Sequence, residues 1–568
     1  MYDVVILGSG MAGTILGAVL ARNGAKVHIL DASRHPRFAV GEASIRETTM
    51  MLKVIAARFE VPELLHLVSF VAVDGNVAPT SGMKRNIGYA YHREGERQRP
   101  EEVYQVAVPE TFEGPEVHYF RQDVDQHLAR LAERYGCTVV EGVRVEDVHL
   151  GARGVRVALA GGTTLEARYV VDATGHRSVL ADKLHLREDP PRLRTDTRSV
   201  FTHMRGVARY EECPSARGQE VPQRWSQGTL HHCFDGGWIW VIPFDNGPSG
   251  QNDLVSVGLQ LDNRKNPYRG AAPAEEFAAV LRRFPSIAEQ FEGATAARGW
   301  VFAGPRLQYS SSRTVGDRFC LMSHAAGFVD PLFSRGLVLT MRTIFPMAER
   351  LLAAIEDGDF SAERFALVDE VQQRTLDSVD AIVAGMYTSW RSFPLFDAFA
   401  RFWYATGVLG FFQIEAAYSY FLRTGDRDVL RRMLYGADRG SLCSAFPAFQ
   451  PFFAAAIAAI QGVEAGELSE AEGAARIMAL IRGADFLPPG FHFDDLGVRH
   501  GGPFDVTHWR QILTWGNHQA PQEVKESLYP GDAAENVARF MDRVEQALAS
   551  PRLEPIRRFI SATSAVPG

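Results

Sequence analysis

The first thirty residues combine two short apolar runs with a helical pattern between them. Val4–Leu7 is a continuous apolar run, which is typical of a buried parallel strand. An Ala- and Leu-rich segment follows to about Asn23, and Val27–Leu30 is a second apolar run that ends at Asp31. This order predicts a strand–helix–strand unit with two buried parallel strands.

The middle and the end of the chain have different patterns. Residues 190–305 contain strand-like segments such as WIWVIPF and LVSVGLQLD around a turn rich in Gly, Pro and Asn, which predicts a mostly antiparallel sheet. From about residue 345, apolar residues recur at helical spacing. The clearest helical segments are Met347–Ile355, Ala362–Val379 and Pro394–Leu422.

These patterns predict an α/β protein with a helical C-terminal region. We expect a core over residues 1–345, in which the sheet-rich substrate subdomain of about 190–305 is interleaved with a nucleotide-binding unit. Residues 346–568 are expected to form a helical domain that caps the substrate pocket. A length of 568 residues is compatible with two or three such units.

Composition and charge narrow the classes of partner. The hydrophobic fraction of 46% is ordinary for a globular protein, and the net charge of −8 argues against nucleic acid or anionic membrane as a partner. The apolar run at 452–460 is too short to cross a bilayer, and the N-terminus lacks a signal-peptide pattern. Five cysteines without a CxxC pair indicate reduced thiols, so we expect a cytoplasmic protein.

A glycine motif lies between the first strand and the first helix. Gly8, Gly10 and Gly13 form GxGxxG. The first glycine permits a tight turn, the second lets the backbone approach a pyrophosphate, and the third lets helix and strand pack closely. Ala12 lies in the same turn, and Asp31 can accept hydrogen bonds from a ribose hydroxyl. The unit therefore predicts a dinucleotide site, against the alternative of a coincidental turn.

Two further features indicate that the dinucleotide is FAD. The motif begins at residue 8, as is usual in FAD proteins, and YVVDATGHRS at 169–178 is a buried strand ending in DATG. In flavoprotein monooxygenases such a segment closes a turn near the FAD adenosine. The alternative is an ordinary strand leading into a polar turn.

The stretch WIWVIP carries two indoles on one face of a predicted strand. Trp238 and Trp240 are two residues apart, and strand side chains alternate between faces. They either fill a large core or do something that a smaller apolar residue cannot do. His231, His232 and Cys233 come shortly before, but alternation puts neighbours on opposite faces, and no metal site is expected.

Four segments together resemble one enzyme family, the flavin-dependent halogenases. They are HPRFAVGEASIRETT (35–49), SGMKRNIGYAYH (81–92), WIWVIP and HAAGFVDPLFSRGL (324–337), in order across about residues 1–345. The resemblance implies an FAD-binding fold similar to p-hydroxybenzoate hydroxylase. Several blocks are most similar to the pyrrolnitrin-pathway members, which chlorinate the pyrrole ring of an aminophenylpyrrole.

The resemblance also implies an activity. Family members use FADH2, supplied by a separate NAD(P)H-dependent flavin reductase, with O2 and chloride or bromide to make hypohalous acid. This species halogenates an electron-rich aromatic, here expected to be a free pyrrole made for an antibiotic-type natural product. An FAD-dependent aromatic hydroxylase is the alternative function. Regiochemistry, halide preference and attachment of the substrate to a carrier protein stay open.

The resemblance assigns roles to particular residues. Lys84 is expected to carry out halogenation, because a primary amine can form a chloramine or hydrogen-bond hypochlorous acid, whereas arginine stays protonated. Only six of the 60 basic residues are lysine, which makes Lys84 unusual. Trp238 and Trp240 would keep substrate away from the flavin. Further FAD contacts are expected from Gly41, Glu42, Ala43, Arg121 and Asp330, and chloride contacts from Ser334, Arg335 and Gly336. For Arg121, a capped surface helix is an equal alternative.

Two positions depart from the family pattern. Ser323–His324 stands where related enzymes have Gly-Asp, so the acid that would bind the ribityl chain is missing and FAD would be held more loosely. Phe333 stands where tryptophan halogenases place a glutamate. Free tryptophan is therefore disfavoured as the substrate, and an apolar aryl or pyrrole substrate is favoured.

Overall fold

The computed structural model describes residues 1–108, 113–435, 447–502, 506–529 and 533–564. The strands are β1 Tyr2–Leu7, β2 Val27–Asp31, β3 Gly82–Lys84, β4 Asn86–His92, β5 Val103–Ala107, β6 Glu116–His118, β7 Thr138–Glu141, β8 Val145–Gly151, β9 Gly154–Leu159, β10 Thr164–Asp172, β11 Thr197–Arg205, β12 Gly228–Phe234, β13 Gly237–Pro243, β14 Val255–Asp262, β15 Thr295–Ala296, β16 Val301–Ala303, β17 Val315–Gly316, β18 Phe319–Leu321 and β19 His500–Gly501.

The helices of the described residues become longer towards the C-terminal half. They are α1 Met11–Arg22, α2 Arg46–Phe59, α3 Phe70–Asn76, α4 Arg121–Arg134, α5 Val179–Lys183, α6 Pro273–Arg283, α7 Pro285–Ala288, α8 Arg335–Asp357, α9 Ala366–Ser389, α10 Phe393–Thr424, α11 Arg427–Leu434, α12 Phe449–Glu464, α13 Glu470–Gly483, α14 Val506–Thr514, α15 Gln522–Leu528, α16 Ala533–Ala549 and α17 Glu554–Ser564.

The first sheet contains the N-terminal glycine motif. Its strands lie in the order β17-β18-β10-β1-β2-β7, and β8 and β9 extend it from β10. β1 runs parallel to β2 and β10, and β10 runs parallel to β18. Val4, Val5 and Ile6 are fully buried, as a parallel strand covered on both faces requires. The predicted strand–helix–strand unit is thus confirmed as β1, α1 and β2.

The second sheet is mostly antiparallel and is interleaved with the first along the chain. Its order is β15-β11-β14-β13-β12-β4-β5-β19, with β16 also on β11. Only β4 with β12 and β5 with β19 pair in parallel within this described sheet. The sheet takes strands from outside residues 190–305, namely β4, β5 and β19. β3 and β6 form a separate two-stranded sheet among the described residues. The two large sheets followed by a helical C-terminal region confirm the predicted fold class.

One row of side chains crosses six strands of the second sheet in register. The row is Tyr104, Tyr89, His231, Trp240, Gly258 and Phe201. Gly258 makes room for the indole, because a Cβ at this position would lie 2.1 Å from atoms of the Trp240 ring. The aromatic face of this sheet therefore depends on one position without a side chain.

Helices α8, α9 and α10 follow the second sheet in the chain. The side chains of α9 and α10 pack on the aromatic face, where Tyr387 contacts Trp238 and Trp403 contacts Tyr89. Each of the three helices is longer than the corresponding predicted segment. Among the described residues, no helix combines the length and apolar character that a membrane span requires.

Candidate active site

The GxGxxG turn has the geometry of a dinucleotide cradle. Gly8 has φ of +104°, and a Cβ there would lie 2.5 Å from the Ala173 carbonyl oxygen. A Cβ at Gly13 would lie 2.1 Å from the Gly8 oxygen, so helix and strand pack in contact. Gly10 has no atom within 4 Å of its Cβ position. The middle glycine alone of the three therefore opens onto free space.

The N-terminus of α1 adjoins this open space. Gly10 is its N-cap and has no side-chain cap, and the first turn, which includes the half-buried Ala12, has no acidic residue. Its backbone N–H groups and the positive end of the helix dipole suit an anion such as a pyrophosphate. The residues present therefore fit the phosphate part of FAD.

Asp31 lies at the end of β2 beside the same turn. Its carboxylate accepts hydrogen bonds from the Ser9 amide and hydroxyl, each at 2.8 Å, and from Arg37 Nη1 at 2.6 Å. Burial alone would raise the pKa of Asp31, but the bonds from Arg37 and Ser9 hold it below the usual value. Asp31 is thus an ionised acceptor at the predicted ribose position.

Arg121 opens α4 and secures the loop that contains Gly41. Its guanidinium forms a bidentate pair with Asp125 at 2.8 and 2.9 Å and donates to the Val40 carbonyl at 2.8 Å. A weaker bond of 3.2 Å reaches the Gly41 carbonyl. Gly41 is exposed and has φ of +88°. Arg121 therefore holds the Gly41 loop in place, whichever surface that loop presents to a cofactor.

Glu42 and Ala43 are buried beside the second sheet. Glu42 Oε1 lies 2.7 Å from His203 Nε2, and Arg298 Nε lies 3.1 Å from His203 Nδ1. Because arginine only donates, Nδ1 must accept, so the proton of a neutral His203 is on Nε2 and points to Glu42. Ala43 forms a β-bridge with His118. The Gly41–Ala43 segment is thus attached to β11 of the second sheet and to β6.

His324 stands where related enzymes are expected to carry the acid that binds the ribityl chain. Its Nε2 is buried and has no hydrogen-bond partner among the described residues, and a Cβ on Gly336 would lie 2.7 Å from it. Burial and the charge of Arg121 lower the pKa of His324 to about 4, so the ring is neutral. The unpaired Nε2 could form a hydrogen bond with a hydroxyl group of the flavin ribityl chain. His324 therefore offers a polar atom where the acid is missing.

Lys84 ends β3 and is 1% exposed. Its Nζ donates to the Ser44 carbonyl at 2.8 Å. Burial lowers the pKa of Lys84 to about 7, and the charge of Glu116 opposes that shift. An appreciable fraction of this amine is consequently neutral near pH 7, which is the nucleophilic form.

Glu116 is the cross-strand partner of Lys84 in the antiparallel β3–β6 pair. Its fully buried carboxylate accepts from Arg46 Nη1 at 2.7 Å, from Thr49 Oγ1 at 2.6 Å and from the Ser44 hydroxyl. Ser44 therefore touches both groups, through its carbonyl oxygen and its hydroxyl. The bonds from Arg46, Thr49 and Ser44 hold the Glu116 carboxylate in place, and the Ser44 carbonyl orients the lysine.

Two neutral histidines, His118 and His231, lie within electrostatic range of Lys84. His118 Nε2 is 2.8 Å from Thr229 Oγ1, and His231 Nδ1 is 2.9 Å from the Gly88 carbonyl. Burial is the main cause that lowers the pKa of both rings, to about 3 for His231, and the charge of Lys84 adds to it. Neither of these two histidines adds a positive charge near the lysine.

The predicted chloride loop has an unusual backbone. Phe333 and Ser334 both have left-handed conformations, with φ of 69° and 56°, immediately before α8 begins at Arg335. Such angles cost energy for residues other than glycine and occur at functional sites. The turn directs the backbone N–H groups of Arg335 and Gly336 along the start of a 23-residue helix.

The Arg335 side chain turns away from that backbone and into the protein. It forms a buried ion pair with Glu47 of α2. Burial raises the pKa of Glu47, while the charges of Arg335 and Arg342 act to lower it. The pair ties the chloride loop to the helix that follows the Gly41–Ala43 segment.

The two indoles lie on the same face, as predicted, with ring centroids 5.7 Å apart. Trp238 is 1% exposed and donates from Nε1 to the Tyr387 hydroxyl at 3.0 Å. Trp240 donates to Ser256 Oγ at 3.1 Å. Each indole N–H is therefore paired and each ring is fixed in orientation.

Asp330 was predicted to contact the cofactor. Its carboxylate instead accepts hydrogen bonds from other residues of the protein. Oδ1 accepts from the Leu332 amide at 3.0 Å, and Oδ2 accepts from Thr197 at 3.1 Å and from Tyr387 at 3.2 Å. Burial raises the pKa of Asp330 to about 7 despite these bonds. Its side chain supports the loop, so any cofactor contact from this residue would come from the backbone.

Sequence reasoning missed several of these residues. Ser44 and Glu47 lie within the quoted segment 35–49 but were given no role, and Glu116 belongs to no quoted motif. The proximity of Ser44 to Gly41–Ala43 was a usable signal. The sequence around Glu116 gave little indication of its role. Its importance follows from the pairing of β6 with β3, which places it opposite Lys84.

Comparison with known proteins gives consistent results. A family profile described as "FAD binding domain" matches residues 1–204. The monodechloroaminopyrrolnitrin halogenase PrnC of Pseudomonas fluorescens is 44% identical over 92% of this chain and 93% of its own length. The tetracycline 7-halogenase of Kitasatospora aureofaciens is 41% identical over 93% of this chain and 95% of its own. The crystal structure of halogenase PltM in complex with phloroglucinol and FAD is 34% identical, with a TM-score of 0.84, and covers 88% of this chain and 99% of that one.

Proposed function

Since the chain belongs to the flavin-dependent halogenases, we propose that it chlorinates an electron-rich aromatic small molecule at Lys84. The observation that carries the proposal is the buried amine. It lies at the end of β3, is oriented by Ser44 and has a pKa of about 7. A structural lysine would be paired with a carboxylate, as Lys53 is with Glu113.

FAD is the cofactor of this family, and its reduced form with O2 supplies the oxidising power for halide. The atoms balance when FADH2, O2, chloride and a proton yield FAD, hypochlorous acid and water. We propose that a separate NAD(P)H-dependent reductase supplies the FADH2. A second GxGxxG that could bind the nicotinamide cofactor is lacking in the sequence, which supports this division.

The chain's own residues then act at two places. The backbone N–H groups of Arg335 and Gly336 hold chloride at the start of α8, next to Ser334, whose own N–H donates to the Pro331 carbonyl at 3.2 Å. Lys84 receives hypochlorous acid, either forming an N–Cl bond with release of water or hydrogen-bonding it. In both cases the ring carbon gains chlorine and loses a proton. Trp238 and Trp240 exclude the substrate from the flavin side.

The relatives support two substrate classes. PrnC is named for monodechloroaminopyrrolnitrin, which supports a free pyrrole such as an aminophenylpyrrole. The tetracycline halogenase and the phloroglucinol complex support a hydroxylated ring. Phe333, buried beside the chloride loop, places no carboxylate there and suits either class.

A product assay tests the proposal. The purified chain would receive FAD, a flavin reductase, NADH, O2 and chloride with an aminophenylpyrrole, phloroglucinol or tryptophan. We expect a product with the chlorine isotope pattern from at least one of the first two compounds. Lys84→Met should abolish it, whereas Lys53→Met, a change at another buried lysine, should retain it.

The opposite outcome is equally clear. An oxygenated product that forms without chlorine and persists in Lys84→Met would assign the chain to hydroxylation. In that case the indoles would serve only to fill the core.

A further inference from the structure

Four buried donor groups lie together on the aromatic face without a hydrogen-bond partner. They are the hydroxyls of Tyr89, Tyr104 and Tyr404 and the indole Nε1 of Trp403, none of which has a partner among the described residues. Their residues are between 0% and 5% exposed. We call these four residues the donor cluster.

The members of the donor cluster are close to one another. Tyr89 and Tyr104 are directly opposite in the antiparallel β4–β5 pair, so their side chains leave the same face side by side. The Trp403 ring meets the edge of Tyr89 with centroids 5.7 Å apart. Tyr404 follows on α10, and its hydroxyl is near enough to Tyr104 for the two to interact electrostatically.

The donor cluster also lies between the two reactive ends of the site. Trp403 stacks on Phe333, the residue before Ser334 of the chloride loop, with centroids 4.6 Å apart. Tyr89 stacks on His231 at 4.7 Å, and His231 is within electrostatic range of Lys84. A ring bound against these donors would therefore lie where the proposed chemistry takes place.

Buried polar groups are normally paired, because an unpaired one has lost its bonds to water. Burial raises the pKa of all three tyrosines, so each keeps its O–H proton at physiological pH. Trp403 can only donate. The four groups together thus lack acceptors.

From this arrangement we propose that the donor cluster is the part of the substrate site that binds oxygen substituents, and that the substrate is an oxygenated aromatic ring of the phenol or polyphenol class. The inference rests on the proposed function. A hydroxylated ring offers oxygen lone pairs to these donors. The N–H groups of an aminophenylpyrrole could donate only to the tyrosine oxygens, which would leave the three O–H protons and the Trp403 N–H with few acceptors.

The test measures binding separately from turnover. Phloroglucinol and 2-phenylpyrrole would each be titrated calorimetrically into the oxidised, FAD-loaded enzyme without a reductant. The variants are Tyr89→Phe, Tyr104→Phe and Trp403→Phe, the first two of which remove only a hydroxyl. Tyr169→Phe is the matched control, because its hydroxyl is also buried and unpaired among the described residues but belongs to β10 of the first sheet.

We expect phloroglucinol to bind more tightly than 2-phenylpyrrole. Loss of one neutral hydrogen bond should weaken phloroglucinol binding about three- to tenfold in each cluster variant and leave it unchanged in Tyr169→Phe. The melting temperature of the two Tyr→Phe cluster variants should not fall, because an unpaired group is removed.

Tighter binding of 2-phenylpyrrole, or equal phloroglucinol affinity in the native protein and the variants, would overturn the assignment. Because no reductant is present, binding reports on the donor cluster even if no chlorinated product is ever found. Chlorination assays with the same two compounds report independently on the proposed function.

Discussion

The indole Nε1 of Trp238 donates to the hydroxyl of Tyr387, and that hydroxyl in turn donates to Asp330. A residue of β13 is thus connected through α9 to the loop that leads into Ser334. The proposed barrier and the proposed chloride site are held by one chain of hydrogen bonds. A change in its middle member should disturb both.

Tyr387→Phe removes that middle member. We expect a loss of about 1–3 kcal/mol in stability, because the buried Trp238 N–H is left unpaired. The yield of chlorinated product per NADH consumed should also fall, because the indole is no longer fixed. Tyr91→Phe is the control, since its hydroxyl donates to Trp390 on the same face but has no link to Asp330. Equal yields in the two variants would contradict the barrier role.

The rate of chlorination should depend on the protonation of Lys84. Burial lowers its pKa to about 7, so the neutral fraction of the amine grows as pH rises through that value. If the amine accepts chlorine, the rate at saturating substrate should rise from about pH 6 to about pH 8 and then level off. Lys84→Arg should stay inactive throughout. A rate that falls over this range would instead indicate a protonated lysine acting as a hydrogen-bond donor.

Removal of the Glu116 charge should shift that profile. The carboxylate raises the pKa of Lys84 against the effect of burial, so Glu116→Gln should move the midpoint to lower pH. Glu47→Gln, a change at another buried carboxylate, should affect chloride dependence through Arg335 and leave the midpoint in place. The midpoint is measured from the pH–rate profile of each variant. An unchanged midpoint in Glu116→Gln would show that Glu116 acts only on geometry.

Asp330 should make the protein less stable as pH rises. Its pKa is raised from 3.8 to about 7, so the folded state binds the proton more tightly and stability declines between these two values. Asp330→Asn should therefore be more stable than the native chain at pH 8, by on the order of 1–4 kcal/mol. Near pH 4 the difference in the free energy of unfolding should be smaller. Thermal unfolding at both pH values measures the difference.

Asp31→Asn provides a control of opposite sign. The pKa of Asp31 is lowered, so this variant should lose stability at pH 8 relative to the native chain. The prediction for Asp330 fails if Asp330→Asn shifts the melting temperature equally at both pH values.

Gly10 and Gly13 of the FAD turn should respond differently to substitution by alanine. Gly10→Ala has space within the protein and a normal φ of −74°, so the chain should fold with an unchanged melting temperature. Its methyl group would occupy the open cradle and weaken FAD binding, which flavin fluorescence would detect. Gly13→Ala would place a Cβ 2.1 Å from Gly8 and should destabilise the fold. Normal FAD affinity in Gly10→Ala would place the pyrophosphate elsewhere.

Features that depend on neighbouring residues could be predicted from the sequence. The β1–α1–β2 unit, the start of α4 at Arg121 and the shared face of Trp238 and Trp240 all follow from local periodicity. The same reasoning identified Lys84 only through a motif, because nothing local shows that the amine is buried.

Features that depend on tertiary pairing could not be predicted. Glu47 and Arg335 are 288 positions apart, and the sequence around each residue does not indicate its partner. The start of α8 at Arg335 follows from the left-handed angles of Phe333 and Ser334, which helical spacing does not reveal. The register that aligns Tyr104, Tyr89 and His231 depends on strands that are distant in sequence.

The two halves of the site are encoded in separable parts of the chain. The GxGxxG turn, the chloride loop and Lys84 lie before or at the start of α8, whereas α10 contributes Trp403 and Tyr404 to the aromatic face. Laboratory evolution that randomises the inward positions of α10 could therefore alter which aromatic compounds are accepted while the oxidant-forming apparatus is inherited unchanged. The fold is thus a modular starting point for building halogenation catalysts of new scope.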